Sequence, residues 1–223
     1  VLGGADVGRL LTTHDGIDGV AFTGSHKTGM GIFRHMATLS WMKPVIAEMG
    51  GKNPAYVTRN ADLARAAQGV VRSAFGLQGQ KCSACSVVYV DNAVKDEFVR
   101  LCTEFAAKLQ VGDPRKAATF MGPLYNAGTV ERFKSAVAQV QAEGKVHFGG
   151  TRLEGLPENY FMPAIVEMDG PSNLTRDELF MPFVVVRGVD GLDAGLAEGN
   201  DIHYGLSAGI FTEDNAELQH FLD

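Results

Sequence analysis

The chain has 223 residues, of which 45% are hydrophobic, and a formal net charge of −6 at pH 7, which is enough apolar material for one large or two modest cores. No cluster of Lys and Arg stands out, so the composition argues against a nucleic acid or an anionic membrane surface as a partner. The longest apolar runs are too short to span a bilayer, and no signal-peptide pattern opens the chain.

Short β-rich runs alternate with longer amphipathic runs along the whole chain. Asp62 is a typical helix N-cap, and a glycine ends the apolar face that follows it. Strands separated by helices predict an α/β fold with a largely parallel sheet flanked by helices. The predicted strands lie at 19–24, 43–48, 54–58, 85–90, 145–148, 184–189 and 207–212, and the predicted helices at 26–40, 63–75, 93–109, 126–144, 194–200 and the C-terminal end.

Three cysteines, an odd number in a chain of this length, do not resemble a disulfide framework, which favours a reducing, cytoplasm-like compartment. Cys82 and Cys85 have the spacing C-x-x-C. A structural zinc site needs four Cys or His ligands, and Cys102 falls on the apolar face of a helix, so no metal site is predicted. A redox dithiol would open a helix after a strand, whereas this pair precedes a strand. One reactive cysteine, or two small buried residues, are the readings that remain.

Two other stretches carry candidate chemistry. Gly24 and Ser25 lie between a predicted strand and helix, where free backbone amides can receive phosphate oxygens, although an ordinary tight turn is the commoner explanation. Glu48 ends an apolar run before two glycines. Such a carboxylate can act as a general base, although from these residues alone an exposed glutamate at a strand end is the preferred explanation.

Four stretches in order resemble the signature of the aldehyde dehydrogenase superfamily. They are "FTGS" at 22–25, "EMGGK" at 48–52, "GQKC" at 79–82 and "ELFMPF" at 178–183. The resemblance implies an aldehyde dehydrogenase-like catalytic domain at 51–223, truncated at its C-terminal end, and the tail of a Rossmann-like cofactor domain at 1–50. The chain is less than half of a typical member, begins without Met and stops within a helix, so we expect a fragment of a longer protein.

The resemblance also implies an activity, the NAD(P)-dependent oxidation of an aldehyde to a carboxylate. Cys82 would attack the aldehyde as a thiolate, passing through a thiohemiacetal and a thioester, and its own backbone N–H would donate to the developing oxyanion. Glu48 would activate the water that hydrolyses the thioester. NAD is the implied cofactor, with NADP left open. The implied cofactor-binding residues are Gly24, Ser25, Met49, Gly50, Glu178 and Phe180.

The serine that follows Cys82 resembles the pyrroline-5-carboxylate (glutamate-semialdehyde) dehydrogenase branch, which would link the protein to proline metabolism. By that resemblance Ser83, Ala208 and Gly209 would hold the α-carboxylate of the substrate. Members of the family usually form homodimers or homotetramers. Met181 stands where the family usually has glycine, and this change is expected to alter the loop that carries Glu178.

Part of the machinery that the resemblance implies lies upstream of Val1, including the asparagine that completes the oxyanion hole. We therefore expect the 223-residue chain alone to be inactive, since losing one oxyanion donor typically costs about two to three decades in rate. Two alternatives are a redox or metal-binding module built on Cys82 and Cys85, and a catalytically dead homologue with a structural role.

Overall fold

A computed structural model describes all residues from Val1 to Asp223. Contacts divide the chain into two compact units, Val1–Gly50 and Gly51–Asp223, which are described separately. None of the helices is both long enough and apolar enough to cross a membrane.

The first unit contains two parallel strands and two helices. In chain order the elements are α1 (Ala5–Thr13), β1 (Val20–Thr23), α2 (His26–Met36) and β2 (Val45–Glu48). The two strands pair in register from Val20 opposite Val45 to Thr23 opposite Glu48. The sequence did not predict α1, a nine-residue helix that buries no residue and has no side-chain N-cap to mark its start.

Helix α2 ends at Met36, four residues before its predicted end. The Thr38 hydroxyl donates to the carbonyl oxygen of His35 at 2.7 Å. Ser and Thr compete in this way for backbone hydrogen bonds and favour helix ends over helix interiors.

The second unit is built on a six-stranded sheet. The strands lie in the order β5-β6-β7-β4-β3-β8, and every neighbouring pair is parallel except β5 with β6. The predicted α/β class with a largely parallel sheet is therefore confirmed. The strands are β3 (Asn53–Val57), β4 (Cys85–Asp91), β5 (Gly144–Phe148), β6 (Ala164–Met168), β7 (Phe183–Val189) and β8 (Gly209–Phe211).

Helices cover both faces of this sheet. Successive residues of β4 and β7 belong to different hydrophobic clusters, one containing Phe75 and Phe98 and the other Phe133, so these central strands are apolar on both sides, as in other covered parallel sheets. The helices are α3 (Leu63–Phe75), α4 (Lys95–Ala107), α5 (Ala127–Glu143), α6 (Asn173–Arg176), α7 (Leu192–Asn200) and α8 (Asn215–Leu222), with a 3-10 turn at Gly76–Gly79.

Four of the six helices in this unit, α3, α5, α6 and α8, begin at a residue whose side chain caps the helix. The predicted N-cap Asp62 accepts the backbone N–H of Arg65 through Oδ1 at 3.1 Å, and Asn126 caps α5 by accepting the N–H of Thr129 at 2.9 Å. The short helix α6 and strand β6 were not predicted; the single turn of α6 carries too little periodicity to identify a helix.

Candidate functional site

A strained turn precedes Cys82. Leu77, Gln78 and Gly79 adopt positive φ angles of 55°, 58° and 65° in succession, and the first two are residues for which this conformation is unfavourable. The Gln78 side chain donates to the carbonyl oxygen of Pro123 at 3.2 Å, which helps to hold the turn. A Cβ atom at Gly79 would lie 2.3 Å from the carbonyl oxygen of Met181, so only glycine fits this approach of two loops.

The two cysteines of the C-x-x-C motif lie in different environments. Cys82 is exposed and occupies a tight turn closed by a hydrogen bond of 3.0 Å from the Ala84 N–H to the Lys81 carbonyl. Cys85 is buried at the start of β4. Burial raises the pKa of the Cys85 thiol to about 12, although the nearby Lys52 acts in the opposite direction. Cys85 is thus a core residue, whereas the Cys82 thiol is open to reagents.

Asn53 connects the cysteine turn to a second loop. Its Nδ2 group donates to the carbonyl oxygens of Cys82 at 2.7 Å and Ala84 at 2.9 Å. Its Oδ1 atom accepts the backbone N–H of Ser207 at 3.2 Å. The sequence analysis gave this residue no role, although it directly follows the "EMGGK" stretch at 48–52.

Lys52 was also missed, and its environment is unusual for a lysine. The side chain is 1% exposed and its Nζ atom has no hydrogen-bond partner. Burial lowers the pKa of Lys52 to about 7, although negative charge on Cys85, Asp177 and Glu178 opposes that change. The only sequence signal was its position directly after the two glycines of the motif.

The Glu178 side chain contacts Gly51, the first residue of the second unit. One of its carboxylate oxygens accepts the Gly51 N–H at 3.3 Å. Burial raises the pKa of Glu178, while that hydrogen bond and the charge of Lys52 partly offset the effect. Phe180 follows in a left-handed conformation, with φ of 54°, and is 43% exposed.

Met181, which replaces the usual glycine of the resemblance, is 3% exposed and belongs to the hydrophobic cluster around Phe133. Its side chain therefore anchors the loop that carries Glu178 and Phe180 to the core.

The three proposed substrate residues lie on the wall of one cavity. Ser83, Ala208 and Gly209 contribute to a pocket of about 170 Å³, together with Asn53 and Ser207. Gly209 begins β8 and pairs with Ala55 of β3, so the sheet already engages its backbone.

In the first unit, four of the predicted site residues lie at the carboxyl ends of β1 and β2. They are Gly24, Ser25, Glu48 and Met49. The Gly24 N–H donates to the Glu48 carbonyl oxygen at 3.0 Å. Ser25 caps α2, its Oγ accepting the Thr28 N–H at 3.3 Å. A Cβ atom at Gly29 would lie 2.6 Å from the Met49 sulfur, so Met49 packs directly against the first turn of this helix. The carboxyl ends of parallel strands are where open α/β sheets bind ligands.

Glu48 itself is exposed, and its carboxylate makes no hydrogen bond or ion pair in the structure. Gly50 follows Met49 as the last residue of the first unit. No group of three or more His, Cys, Asp or Glu side chains is arranged to hold a metal ion.

Comparison with known proteins identifies the family. The model of the aldehyde dehydrogenase family matches residues 1–223. The 1-pyrroline-5-carboxylate dehydrogenase of Geobacillus thermodenitrificans is 35% identical over 222 residues, which are 97% of this chain and 43% of that protein. The α-ketoglutaric semialdehyde dehydrogenase of Bacillus subtilis is 35% identical over 225 residues, which are 99% of this chain and 46% of that protein.

The fold comparison agrees. A crystal structure of 1-pyrroline-5-carboxylate dehydrogenase from Thermus with bound NAD superposes with a TM-score of 0.89 at 30% identity, over 96% of this chain and 42% of that one. The chain spans less than half the length of these relatives. With a family match along its whole length and the corresponding fold, the chain belongs to the aldehyde dehydrogenase family.

Proposed function

We propose that the protein carrying this chain oxidises an aldehyde to a carboxylate with NAD, using Cys82 as the nucleophile and Glu48 as the general base. The observation that carries the proposal is the state of Cys82. It is the exposed cysteine among three free ones, and it occupies a turn fixed by backbone and side-chain hydrogen bonds. A nucleophile has to be both accessible and held in a defined orientation.

The residues of the chain divide the chemistry between them. Cys82, as a thiolate, forms a bond from sulfur to the carbonyl carbon, and its backbone N–H donates to the oxygen that becomes negative. Bound NAD supplies the acceptor for the hydride that leaves the substrate carbon. The acyl group then remains on Cys82 as a thioester. Glu48, whose carboxylate is exposed and unpaired, takes a proton from the water that attacks this thioester and restores the thiol.

The residues proposed to hold NAD fit an anionic dinucleotide. The first turn of α2 contains no acidic residue, and Ser25 caps it, so the helix end is positive and suits the pyrophosphate beside Gly24 and Ser25. Glu178 has a carboxylate fixed through Oε1 by the Gly51 N–H, which leaves acceptor capacity for ribose hydroxyls. Met49, Gly50 and Phe180 are proposed to lie beside the nicotinamide end. We propose 1–50 and 51–223 as the corresponding parts of the cofactor and catalytic domains.

For the substrate we propose a semialdehyde with a carboxylate group, such as glutamate semialdehyde. Ser83 lines the cavity with Ser207, and the backbone of Ala208 precedes strand β8. Hydroxyl and backbone N–H groups of this kind can bind a carboxylate. The two relatives whose names specify such substrates support the proposal.

The cellular compartment and the oligomeric state are part of the same proposal. Three free cysteines suit a reducing compartment such as the cytoplasm, and we propose a homodimer or homotetramer as in the family at large. Because the chain spans less than half the length of its relatives, we propose that the 223-residue chain by itself produces no NADH.

The test is a steady-state assay of the full-length protein with NAD or NADP and a panel of aldehydes, including glutamate semialdehyde and unsubstituted aldehydes of similar length. We expect NADH formation, with the highest kcat/KM for the carboxylate-bearing semialdehyde. The Glu48→Gln variant should accumulate an acyl group on Cys82, visible by intact-mass measurement. A folded protein that forms no NADH with any aldehyde would refute the function, and bound zinc or a Cys82–Cys85 disulfide would favour the redox or metal-binding alternative.

A further inference from the structure

The start of strand β3 has an irregularity that gives the Asn53 side chain its position. Asn53 pairs with Cys85 of β4, but the register shifts between Asn53 and Pro54. Proline has no N–H to donate to a neighbouring strand and is confined to such irregularities inside a sheet. At this point the side-chain amide of Asn53 provides hydrogen bonds that the strand backbone does not.

The hydrogen bonds of Asn53 define its orientation. The Nδ2 group faces two carbonyl oxygens, those of Cys82 at 2.7 Å and Ala84 at 2.9 Å, while Oδ1 faces the Ser207 N–H at 3.2 Å. A flipped amide would place its oxygen against two acceptors, so this arrangement is the one that satisfies every group. The residue is 3% exposed, and leaving these polar groups unpaired in the interior would be costly.

Gly51 makes room for this arrangement. A Cβ atom at Gly51 would lie 2.5 Å from Oδ1 of Asn53 and 3.1 Å from the carbonyl oxygen of Cys82. The glycine therefore allows the Asn53 amide and the Cys82 carbonyl to approach the backbone at this point. Together with the bond to Ser207, the arrangement is built from three segments that are distant in sequence.

The bonds to Cys82 and Ala84 act on the turn that carries the thiol. The Ala84 N–H closes this turn onto Lys81, so Cys82 and Ser83 are its two central residues. Fixing the carbonyl oxygens of Cys82 and Ala84 fixes the backbone on both sides of Ser83, and with it the direction of the Cys82 side chain. The bond to Ser207 connects this turn to the loop beside the cavity.

We propose that Asn53 is a positioning residue, which orients the Cys82 turn for attack on the substrate and couples it to the Ser207–Ala208 loop. The inference rests on the proposed function, because it assigns the positioned thiol to aldehyde oxidation. Asn53 itself does not react. A displacement of about 1 Å in a reacting group can lower a rate by about 100-fold.

The test compares Asn53→Asp and Asn53→Ala with Asn159→Asp in the full-length protein. Asn53→Asp keeps the shape and the acceptor for Ser207 but replaces both donors with an acceptor, and Asn53→Ala removes all three bonds without adding charge. Asn159 is the matched control, since its Nδ2 also donates to a backbone carbonyl, that of Leu124 at 3.0 Å, away from the cysteine turn. We expect kcat/KM for the aldehyde to fall about 100-fold in Asn53→Asp and less in Asn53→Ala, with NAD affinity within about twofold of wild type.

A second measurement is the rate of Cys82 alkylation by iodoacetamide between pH 6 and 9, on protein with a native circular dichroism spectrum. We expect both Asn53 variants to change the rate or its pH profile, and Asn159→Asp to match the wild type. If both Asn53 variants kept the kcat and the alkylation rate of the wild type, the proposal would be overturned. It would also be overturned if Asn159→Asp lost as much kcat/KM as the Asn53 variants. If the wild type oxidises no aldehyde, the proposed function fails, while the alkylation data still decide whether Asn53 positions the thiol.

Discussion

Cys82 and Cys85 are three residues apart, yet they belong to two regions with opposite physical properties. The Cys82 region is an exposed turn held by hydrogen bonds from its surroundings. The Cys85 region is the buried start of a central strand, where burial raises the pKa of the thiol to about 12 and lowers that of the neighbouring Lys52 to about 7. The C-x-x-C spacing therefore does not mark a pair that reacts together, because only one of the two sulfurs is accessible.

The largest expected difference between the two regions is in catalysis. Cys82→Ala should lower the turnover of the full-length enzyme by about 10⁴-fold or more, because it removes the proposed nucleophile. Cys85→Ala is the matched control and should retain turnover within a few fold. The measurement is NADH formation at saturating aldehyde and NAD, and equal losses in the two variants would show that the regions do not differ in function.

Thiol reactivity is the next largest difference. We expect iodoacetamide at pH 8 to label Cys82 about 10³ times faster than Cys85 or Cys102, because burial raises the pKa of both buried thiols and limits access. Peptide mapping after timed alkylation gives the three rates separately. Similar rates for Cys82 and Cys85 in the folded protein would contradict the assigned environments.

Glu178 is half-buried and lies between the two extremes of exposure. Substituting it tests whether a partly buried residue contributes to NAD binding. Glu178→Gln keeps an acceptor for the Gly51 N–H but removes the negative charge. We expect KM for NAD to rise about tenfold, because a hydrogen bond to a charged group is stronger than one to a neutral group. KM for the aldehyde should change much less. Glu154→Gln, at an exposed loop position, is the control, and an unchanged KM for NAD in Glu178→Gln would argue against its assignment to the ribose.

The smallest expected effect lies in the buried region and is a pH dependence of stability. The pKa of Lys52 is about 7 in the folded chain and near 10.5 when unfolded, so between these values unfolding takes up a proton. The free energy of unfolding should therefore rise with pH, by up to about 1.4 kcal/mol per pH unit. This stability decreases again as the pH falls toward 7.

Urea unfolding of the chain at pH 7.0 to 8.5 measures this slope. Lys52→Met should reduce it, whereas Lys134→Met, which removes a lysine that is 53% exposed, should leave it unchanged. Identical slopes in the wild type and Lys52→Met would show that Lys52 is not held in its neutral form.

The sequence predicted those parts of the fold that have strong local signals. Apolar periodicity identified α3 and α5 nearly to the residue, and the cap Asp62 marked the start of α3. The helices α1 and α6 were missed, and α6 is a single turn too short to show a helical period. For the site, the ordered motifs singled out Cys82 and Glu178, but Lys52 and Asn53 were passed over, because a buried amine and a three-way amide contact leave no pattern in the sequence.

By itself the sequence determined the class of fold, the family and the preference for Cys82 over Cys85, since these follow from periodicity, motif order and the apolar run that begins at Cys85. Only the tertiary structure decided what holds the cysteine turn and which charges are buried. Asn53 meets Cys82, which is 29 positions away in sequence, and Ser207, which is 154 positions away, and the pKa of Lys52 is lowered by burial rather than by a neighbour in sequence. Such contacts form only when the sheet brings distant segments together, and burial then sets their energies.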